Sequence, residues 1–208
     1  MHADWHAIFW FLVVISTLLW WAVWRALPET LHATQRQPVH VGPLLRGYVQ
    51  MMRNPQFLML ALASGIPFNG MFLYVLSAPV WLGEILQLQP TQFFWFFCMS
   101  VSGIMLGAWL SGRLAGRIKP KYQIRHGFVI MLATSLANVL MNLLGTPHPF
   151  WAMLTVSIFS FGWALMVPVV TLMVLDLMPE RRGMASSVQA FIGSMANGLV
   201  AGVIAPLV

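Results

Sequence analysis

The side chains that most often carry chemistry in proteins are spread thinly through this sequence. An enzyme needs a reactive set, such as a serine–histidine pair, paired carboxylates or histidines around a metal, and the sequence shows no such set. His2 and His6 have the i, i+4 spacing of a metal pair, but solvated histidines at a chain start are the favoured interpretation. We therefore predict no catalytic residue, no metal site and no cofactor, and a protein that is not an enzyme.

Neutral polar side chains inside long runs without formal charge are more informative. They are Asn69, Ser77, Ser100, Ser102, Asn138, Asn142, Gln189, Ser194 and Asn197. An amide in apolar surroundings needs a hydrogen-bond partner, so each should face another helix, the favoured interpretation for any single residue, or a wet cavity. The prolines at 67, 79 and 168, with 15 methionines and 14 phenylalanines, suit a deformable and mostly apolar cavity.

Asp176 is a carboxylate attached to the end of one such run. It lies within six residues of Arg181 and Arg182, which predicts an ion pair between this acid and the neighbouring bases. A proton-carrying role is weaker, because a relay needs a buried carboxylate and this one can reach water.

Composition explains why charged groups are so few. Of 208 residues, 59% are hydrophobic and 8% are charged, whereas soluble domains carry about three times this charged fraction. The apolar side chains must therefore face lipid, and about 20 residues per span allows six spans and no long extramembrane domain. The net charge of +6 comes from bases between the apolar runs, which argues against nucleic-acid binding. Cys98 is the single cysteine, so no disulfide framework is possible.

The charge-free stretches predict an all-α, polytopic transmembrane helical bundle of about six spans. The predicted spans cover residues 5–24, 56–82, 91–112, 126–144, 150–176 and 184–208. Glycine and proline in the segments 83–90 and 145–149 divide the longer stretches. The chain is thereby organised into a first transmembrane helix at 1–25, a cytoplasmic loop with an amphipathic helix at 26–55, and a five-helix part at 56–208.

The basic residues predict how the spans are oriented. All 11 Lys and Arg residues fall within residues 25–53, 113–125 and 181–182, and two spans separate each cluster from the next. Since bases accumulate on the cytoplasmic side, both chain ends are expected on the opposite side. No base precedes Arg25, so the first run lacks the basic start of a secretory signal and should persist. Most tryptophans lie near predicted span ends, as interfacial residues do, but Trp10 and Trp163 lie deep.

An apolar stripe at helical spacing runs through the predicted cytoplasmic loop. It consists of Leu44, Leu45, Tyr48, Val49 and Met52. The stripe indicates a short helix, and two placements remain open: in the plane of the membrane interface, or against the rest of the protein.

Small residues recur every four positions in two predicted spans. They are Gly103, Gly107 and Ser111 in the third span, and Ser194, Gly198 and Gly202 in the sixth. Such ridges let helix backbones approach closely, so both are expected to pack against other helices.

Three stretches resemble the bicyclomycin-resistance (Bcr/CflA) type of drug:proton antiporter in the major facilitator superfamily. They are Asp4 to Leu12 followed by Leu27-Pro-Glu-Thr-Leu31, Leu110-Ser-Gly-Arg113 with Gly116-Arg117-Ile-Lys119, and Pro179-Glu-Arg-Arg-Gly183-Met-Ala-Ser-Ser187. The second stretch departs from the pattern, with Gly112 in place of an acid and one extra residue before Gly116. The six helices would correspond to family spans 6 to 11, which implies that spans 1 to 5 and 12 are absent.

The resemblance implies a multi-pass protein of the bacterial inner membrane, with both termini periplasmic in this chain. It implies efflux of small hydrophobic or cationic drug-like compounds by proton antiport and alternating access, with the missing N-terminal half as a partner. The alternative is a membrane subunit that only packs against a partner half. The cavity-lining residues that it implies are Asn69, Phe72, Met99, Trp163, Met166, Gln189 and Asn197, and the cytoplasmic-gate residues are Arg113, Arg117 and Asp176. No charge lies at mid-membrane depth, so a proton-coupling group would lie outside this chain.

Overall fold

The structure is a computed structural model that describes residues 6–28, 41–145 and 148–207. Eight α-helices account for most of these residues, and the described part of the chain contains no β-strand. The helices are α1 (His6–Ala26), α2 (Val41–Arg53), α3 (Pro55–Leu76), α4 (Ala78–Val80), α5 (Phe93–Leu114), α6 (Pro120–Leu144), α7 (Pro149–Leu177) and α8 (Arg182–Leu199). Residues 29–31 of the Leu27 to Leu31 stretch, Asp4, Trp5, His2 and Arg36 lie outside the described residues.

Six helical segments within the described ranges are long and apolar enough to cross a membrane. They are His6–Ala26, Pro55–Leu76, Pro90–Leu114, Pro120–Leu144, Pro149–Leu177 and Pro179–Ile204. The predicted all-α fold with about six spans is therefore confirmed. The described residues divide into two units, one that contains α1 and one that begins at Gly42.

The first unit contains α1, which is apolar on all sides. Its final two turns carry aromatic and basic side chains: the Trp20 and Trp24 rings stack with centroids 6.0 Å apart, and the Arg25 guanidinium lies 5.9 Å from the centroid of Trp21. Aromatic and basic residues together are typical of a helix end at the membrane interface.

The second unit is built around α7, which packs against α3, α5, α6 and α8. The contact with α5 is made through small residues: Gly103, Gly107 and Ser111 are all buried. A Cβ atom at Gly103 would overlap the carbonyl oxygen of Ser157, and one at Gly107 would overlap that of Phe161. The two backbones therefore touch, and the first predicted ridge is confirmed as a packing surface.

The second predicted ridge does not pack within the described chain. Ser194, Gly198 and Gly202 are exposed, and no atom lies within 4 Å of a Cβ built at Gly198 or Gly202. The reason is that α8 turns a different face to its neighbours. Ala185, Val188 and Ile192 are the residues of α8 that are buried in the core with α3 and α7.

The ends of two spans differ from the predicted ones. The second span ends at Leu76 rather than residue 82, and a separate turn with Pro79 and a π-helix at Trp81–Ile85 follow it. Proline lacks the N–H that would continue the helix. The fourth span begins at Pro120 rather than residue 126, because its first turns carry exposed bases that can reach the interface.

The earlier start of α6 brings one buried amide into the bundle. Gln123 is 2% exposed, and its Nε2 donates to the Ser111 hydroxyl at 2.7 Å and to the Leu165 carbonyl at 2.9 Å. One side chain thus links α5, α6 and α7. Sequence reasoning missed this residue, because it assigned position 123 to a loop.

The helix α2 packs against the rest of the second unit through residues that the sequence stripe did not include. Gly47 and Met51 are buried, and a Cβ at Gly47 would lie 2.7 Å from the Met184 sulfur. Leu45, Tyr48 and Val49 of the predicted stripe stay exposed. The helix therefore combines a face packed on the protein with an apolar face that suits the membrane interface.

Small polar side chains mostly bond to their own helix, while longer ones reach across. Ser77 donates to the Leu73 carbonyl and Ser102 to that of Met99. In contrast, the Asn138 amide donates to the Tyr74 hydroxyl at 2.7 Å, which joins α6 to α3. The prediction of interhelical hydrogen bonding holds for Asn138.

Candidate functional site

Polar and aromatic side chains from three helices meet at the middle of α7. Trp163 lies at the midpoint of α7, and its Nε1 donates to the Ser64 carbonyl of α3 at 3.1 Å. The Gln189 Nε2 of α8 donates to the Ser64 hydroxyl at 2.9 Å and to the Thr171 hydroxyl of α7 at 3.2 Å. The Phe68 and Trp163 rings lie 5.1 Å apart between centroids. We call Ser64, Phe68, Trp163, Thr171 and Gln189 the central cluster.

The central cluster extends along α3 by one more aromatic ring. Phe72 is half-buried, and its ring stacks on Phe68 with centroids 6.1 Å apart and planes 20° from parallel. Ser64, Phe68 and Phe72 are spaced four residues apart, so they lie in one line along α3. The structure thus brings together three of the predicted lining residues: Phe72, Trp163 and Gln189.

The sequence analysis did not identify Ser64, Phe68 or Thr171 as site residues. The four-residue spacing from Ser64 to Phe72 was the available signal. Serine and threonine usually bond to their own helix, as the Ser64 hydroxyl does to the Ala61 carbonyl at 2.8 Å, and such residues carry little information in a sequence.

Two further predicted lining residues are asparagines, one on α3 and one on α8. Asn69 is buried on α3 and Asn197 is half-buried on α8. The side-chain oxygen of each is buried and has no hydrogen-bond partner. Most buried polar groups in proteins have a hydrogen-bond partner, and these two oxygens are exceptions.

The predicted methionines lie in other contacts of α7. Met166 is fully buried. A Cβ built at Gly127 of α6 would lie 2.8 Å from the Cβ of Met166, so Met166 faces α6. Met99 lies on α5 and packs against the hydrophobic cluster that contains Phe96. Its backbone carbonyl accepts a hydrogen bond from the Ser157 hydroxyl at 2.6 Å. Neither side chain belongs to the central cluster.

The predicted gate residues lie at the opposite end of the bundle from the α3–α4 turn. Arg117 and Asp176 line one cavity there, whereas the Arg113 guanidinium lies over the Trp109 ring at 4.2 Å. Asp176 accepts a bond from Arg182 at 3.0 Å, and both side chains are exposed. The predicted pairing of this acid with a neighbouring base is confirmed, and the gate role stays a prediction.

The central cluster combines neutral hydrogen-bonding groups with aromatic faces. Its polar members are hydroxyls, one amide and one indole N–H, all neutral. Its aromatic faces can stack on flat apolar molecules and attract cations. Among the described residues, no group of three His, Cys, Asp or Glu side chains could hold a metal ion.

Comparisons with known proteins place the chain in a family. Residues 1–201 match the family model described as the Major Facilitator Superfamily. The chain is 28% identical to the uncharacterized MFS-type transporter YdgK of Bacillus subtilis (strain 168), over 99% of this chain and 50% of that protein. It is 24% identical to the bicyclomycin resistance protein homolog of Haemophilus influenzae, over 95% of this chain and 50% of that protein.

A third relative carries a name that states an activity. The chain is 24% identical to the multidrug transporter MdfA of Yersinia pestis, over 78% of this chain and 40% of that protein. This chain therefore spans about half the length of the relatives that it matches.

Proposed function

The chain belongs to the Major Facilitator Superfamily, and we propose that it forms one wall of a pathway that exports drugs or other small hydrophobic compounds from bacteria. It is a multi-pass membrane protein, and relatives named for bicyclomycin resistance and multidrug transport support a drug-like substrate. The observation that carries the proposal is the central cluster. Neutral donors and aromatic rings at mid-membrane depth suit apolar ligands that enter from lipid.

Energy coupling under this proposal depends on a second helical half. Export by proton antiport and alternating access needs an ionisable group in the pathway, and residues 54–83, 127–147 and 149–175 of this chain contain no Asp, Glu, Lys, Arg or His. The exposed ridge of Ser194, Gly198 and Gly202 supports such a partner, because small residues let another helix approach closely. The same ridge favours the alternative of a subunit that only packs against a partner half.

Replacing Trp163 with alanine tests the binding part of the proposal. The change removes the stacking surface of Phe68 and the bond to Ser64, so we expect the affinity for ethidium to fall about tenfold, the equivalent of about 1.4 kcal/mol. Fluorescence polarisation on the purified chain in detergent would measure it. Trp95→Ala is the matched control, because Trp95 is exposed on α5; equal losses in both variants would contradict a site at the central cluster.

Drug accumulation in cells separates the two functional candidates. In an efflux-deficient bacterium, we expect this chain to lower ethidium accumulation only when the N-terminal half of a relative is expressed with it. Extrusion by this chain alone would contradict the need for a partner. Unchanged accumulation with every partner half that forms a stable complex would favour the packing subunit.

Cysteine labelling tests the proposed orientation in the inner membrane. In a Cys98→Ser background, a membrane-impermeant maleimide applied to intact cells should label Glu84→Cys and leave Lys121→Cys unlabelled, because bases collect on the cytoplasmic side. Both positions are exposed. Labelling of Lys121→Cys in intact cells would overturn the orientation.

A further inference from the structure

The helices α3 and α8 run parallel and touch at a pair of glycines. Phe57 near the start of α3 and Ala185 near the start of α8 belong to one hydrophobic cluster, so the two starts lie at the same end. A Cβ at Gly65 would lie 3.1 Å from the Cα of Gly193, which brings the two backbones into contact. Beyond this crossing, α3 stays in contact with α8's continuation at Val200–Ile204.

Two asparagines follow this crossing at the same distance along each helix. Asn69 lies four residues after Gly65, and Asn197 lies four residues after Gly193, so both are one turn further on the contacting side. Asn69 is 7% exposed, and its Nδ2 donates to the Gly65 carbonyl at 3.2 Å. The Oδ1 of Asn69 is buried and has no hydrogen-bond partner, and the same is true of the Oδ1 of Asn197.

Two unpartnered amide oxygens on neighbouring helices limit which ligands could bind to them. An amide oxygen accepts hydrogen bonds and cannot donate them, and leaving it unpaired in apolar surroundings destabilises the protein. Residues 54–83 and 183–208 carry no formal charge, so α3 and α8 offer these oxygens no ionised donor. A ligand that satisfies them must bring its own N–H or O–H groups.

The neighbouring rings favour a positive charge on that ligand. Phe68 and Phe72 lie one and three residues from Asn69 on α3, and Phe68 packs on Trp163. Aromatic faces attract cations, and an N–H on a charged nitrogen gives the stronger hydrogen bond. The acceptor oxygens and the rings thus complement one chemical group, a protonated amine on an apolar body.

We propose that Asn69 and Asn197 bind the N–H groups of lipophilic ammonium compounds through their side-chain oxygens, so that the site selects amines with N–H donors over quaternary ammonium compounds. This selectivity rests on the proposed function, since it assumes that the chain binds transported compounds. A site that recognised only ligand size and apolar surface would not distinguish these two classes of compound.

A matched pair of ligands tests the proposal on the purified chain in detergent micelles. The probes are a tritiated N-methyl arylalkylamine, which has two N–H groups when protonated, and its N,N,N-trimethyl counterpart, which has none and carries the same charge. Equilibrium dialysis against empty micelles would measure both affinities. We expect the secondary amine to bind about tenfold more tightly, the gain from one bond between a charged donor and an amide oxygen.

The variant Asn69→Leu keeps the side-chain size and removes the acceptor. We expect it to abolish the preference by weakening only the secondary amine, whereas Asn142→Leu should retain the preference, because Asn142 bonds to its own helix. Equal binding of both ligands by the unaltered chain would overturn the selectivity and leave the proposed function standing. Binding of neither ligand would overturn the proposed function and the selectivity with it. A less stable ligand-free Asn69→Leu chain with an intact preference would show that the two amides only join the helices, and would also overturn the proposal.

Discussion

Replacing Gly103 with alanine is expected to lower the free energy of unfolding by about 3 kcal/mol. The added methyl would overlap the Ser157 carbonyl, and it would also lie 3.0 Å from the Ser157 hydroxyl oxygen. Backbone atoms of α7 cannot turn aside as a flexible side chain could, so the two helices must separate. Overpacking a rigid contact typically destabilises by about 1–3 kcal/mol, and separation here would also loosen the neighbouring contact at Gly107. Thermal unfolding of the purified chain in detergent would measure the loss.

Gly112→Ala is the matched control on the same helix. No atom lies within 4 Å of a Cβ built at Gly112, and alanine favours a helix by up to about 1 kcal/mol over glycine. We expect this variant to be as stable as the unaltered chain or slightly more stable. A Gly103→Ala chain that unfolds at the same temperature as Gly112→Ala would contradict the backbone contact between α5 and α7.

Replacing Gln123 with leucine is expected to destabilise the chain by about 2 kcal/mol. The leucine has nearly the same size, so the loss comes from polarity rather than from a cavity. It removes two donated bonds and leaves the buried Ser111 hydroxyl and Leu165 carbonyl without this donor, and an unpaired buried group typically costs about 1–3 kcal/mol. The same unfolding measurement applies.

The control for this change is Gln56→Leu, the same substitution at an exposed position near the start of α3. Surface substitutions usually change stability by less than about 0.5 kcal/mol. Equal unfolding temperatures for the two variants would mean that Gln123 does not hold the three helices together.

The spans were predictable because lipid excludes charge so strongly. Each of the six predicted spans corresponds to a helix in the structure. A long run without charges that crosses a bilayer must satisfy its backbone hydrogen bonds within itself, and a helix does so. The largest error at a span start, at α6, arose where bases such as Lys121 belong to the helix itself. Long basic side chains reach water from a helix end, so a charge marks the interface and does not mark where the helix begins.

The packing partners of the helices were less predictable, because the spacing of small residues along one helix does not determine which helix packs against it. The Gly103 and Gly198 ridges have the same four-residue repeat, yet only the first meets a neighbour within the described residues. For the same reason Trp163 and Gln189 were among the predicted lining residues, whereas Ser64 was not. Both side chains donate a hydrogen bond to Ser64. A residue's place on its own helix is local information, whereas its partner depends on how helices cross.

The length of α7 has a consequence for how the protein responds to its membrane. With 29 residues it is about 43 Å long, whereas the hydrocarbon core of a bilayer is about 30 Å thick. A helix this long can fit the bilayer by tilting, and the backbone contacts at Gly103 and Gly107 would make α5 tilt with it. A thinner or thicker bilayer would therefore change the inclination of the helix that carries Trp163, and with it the geometry of the central cluster.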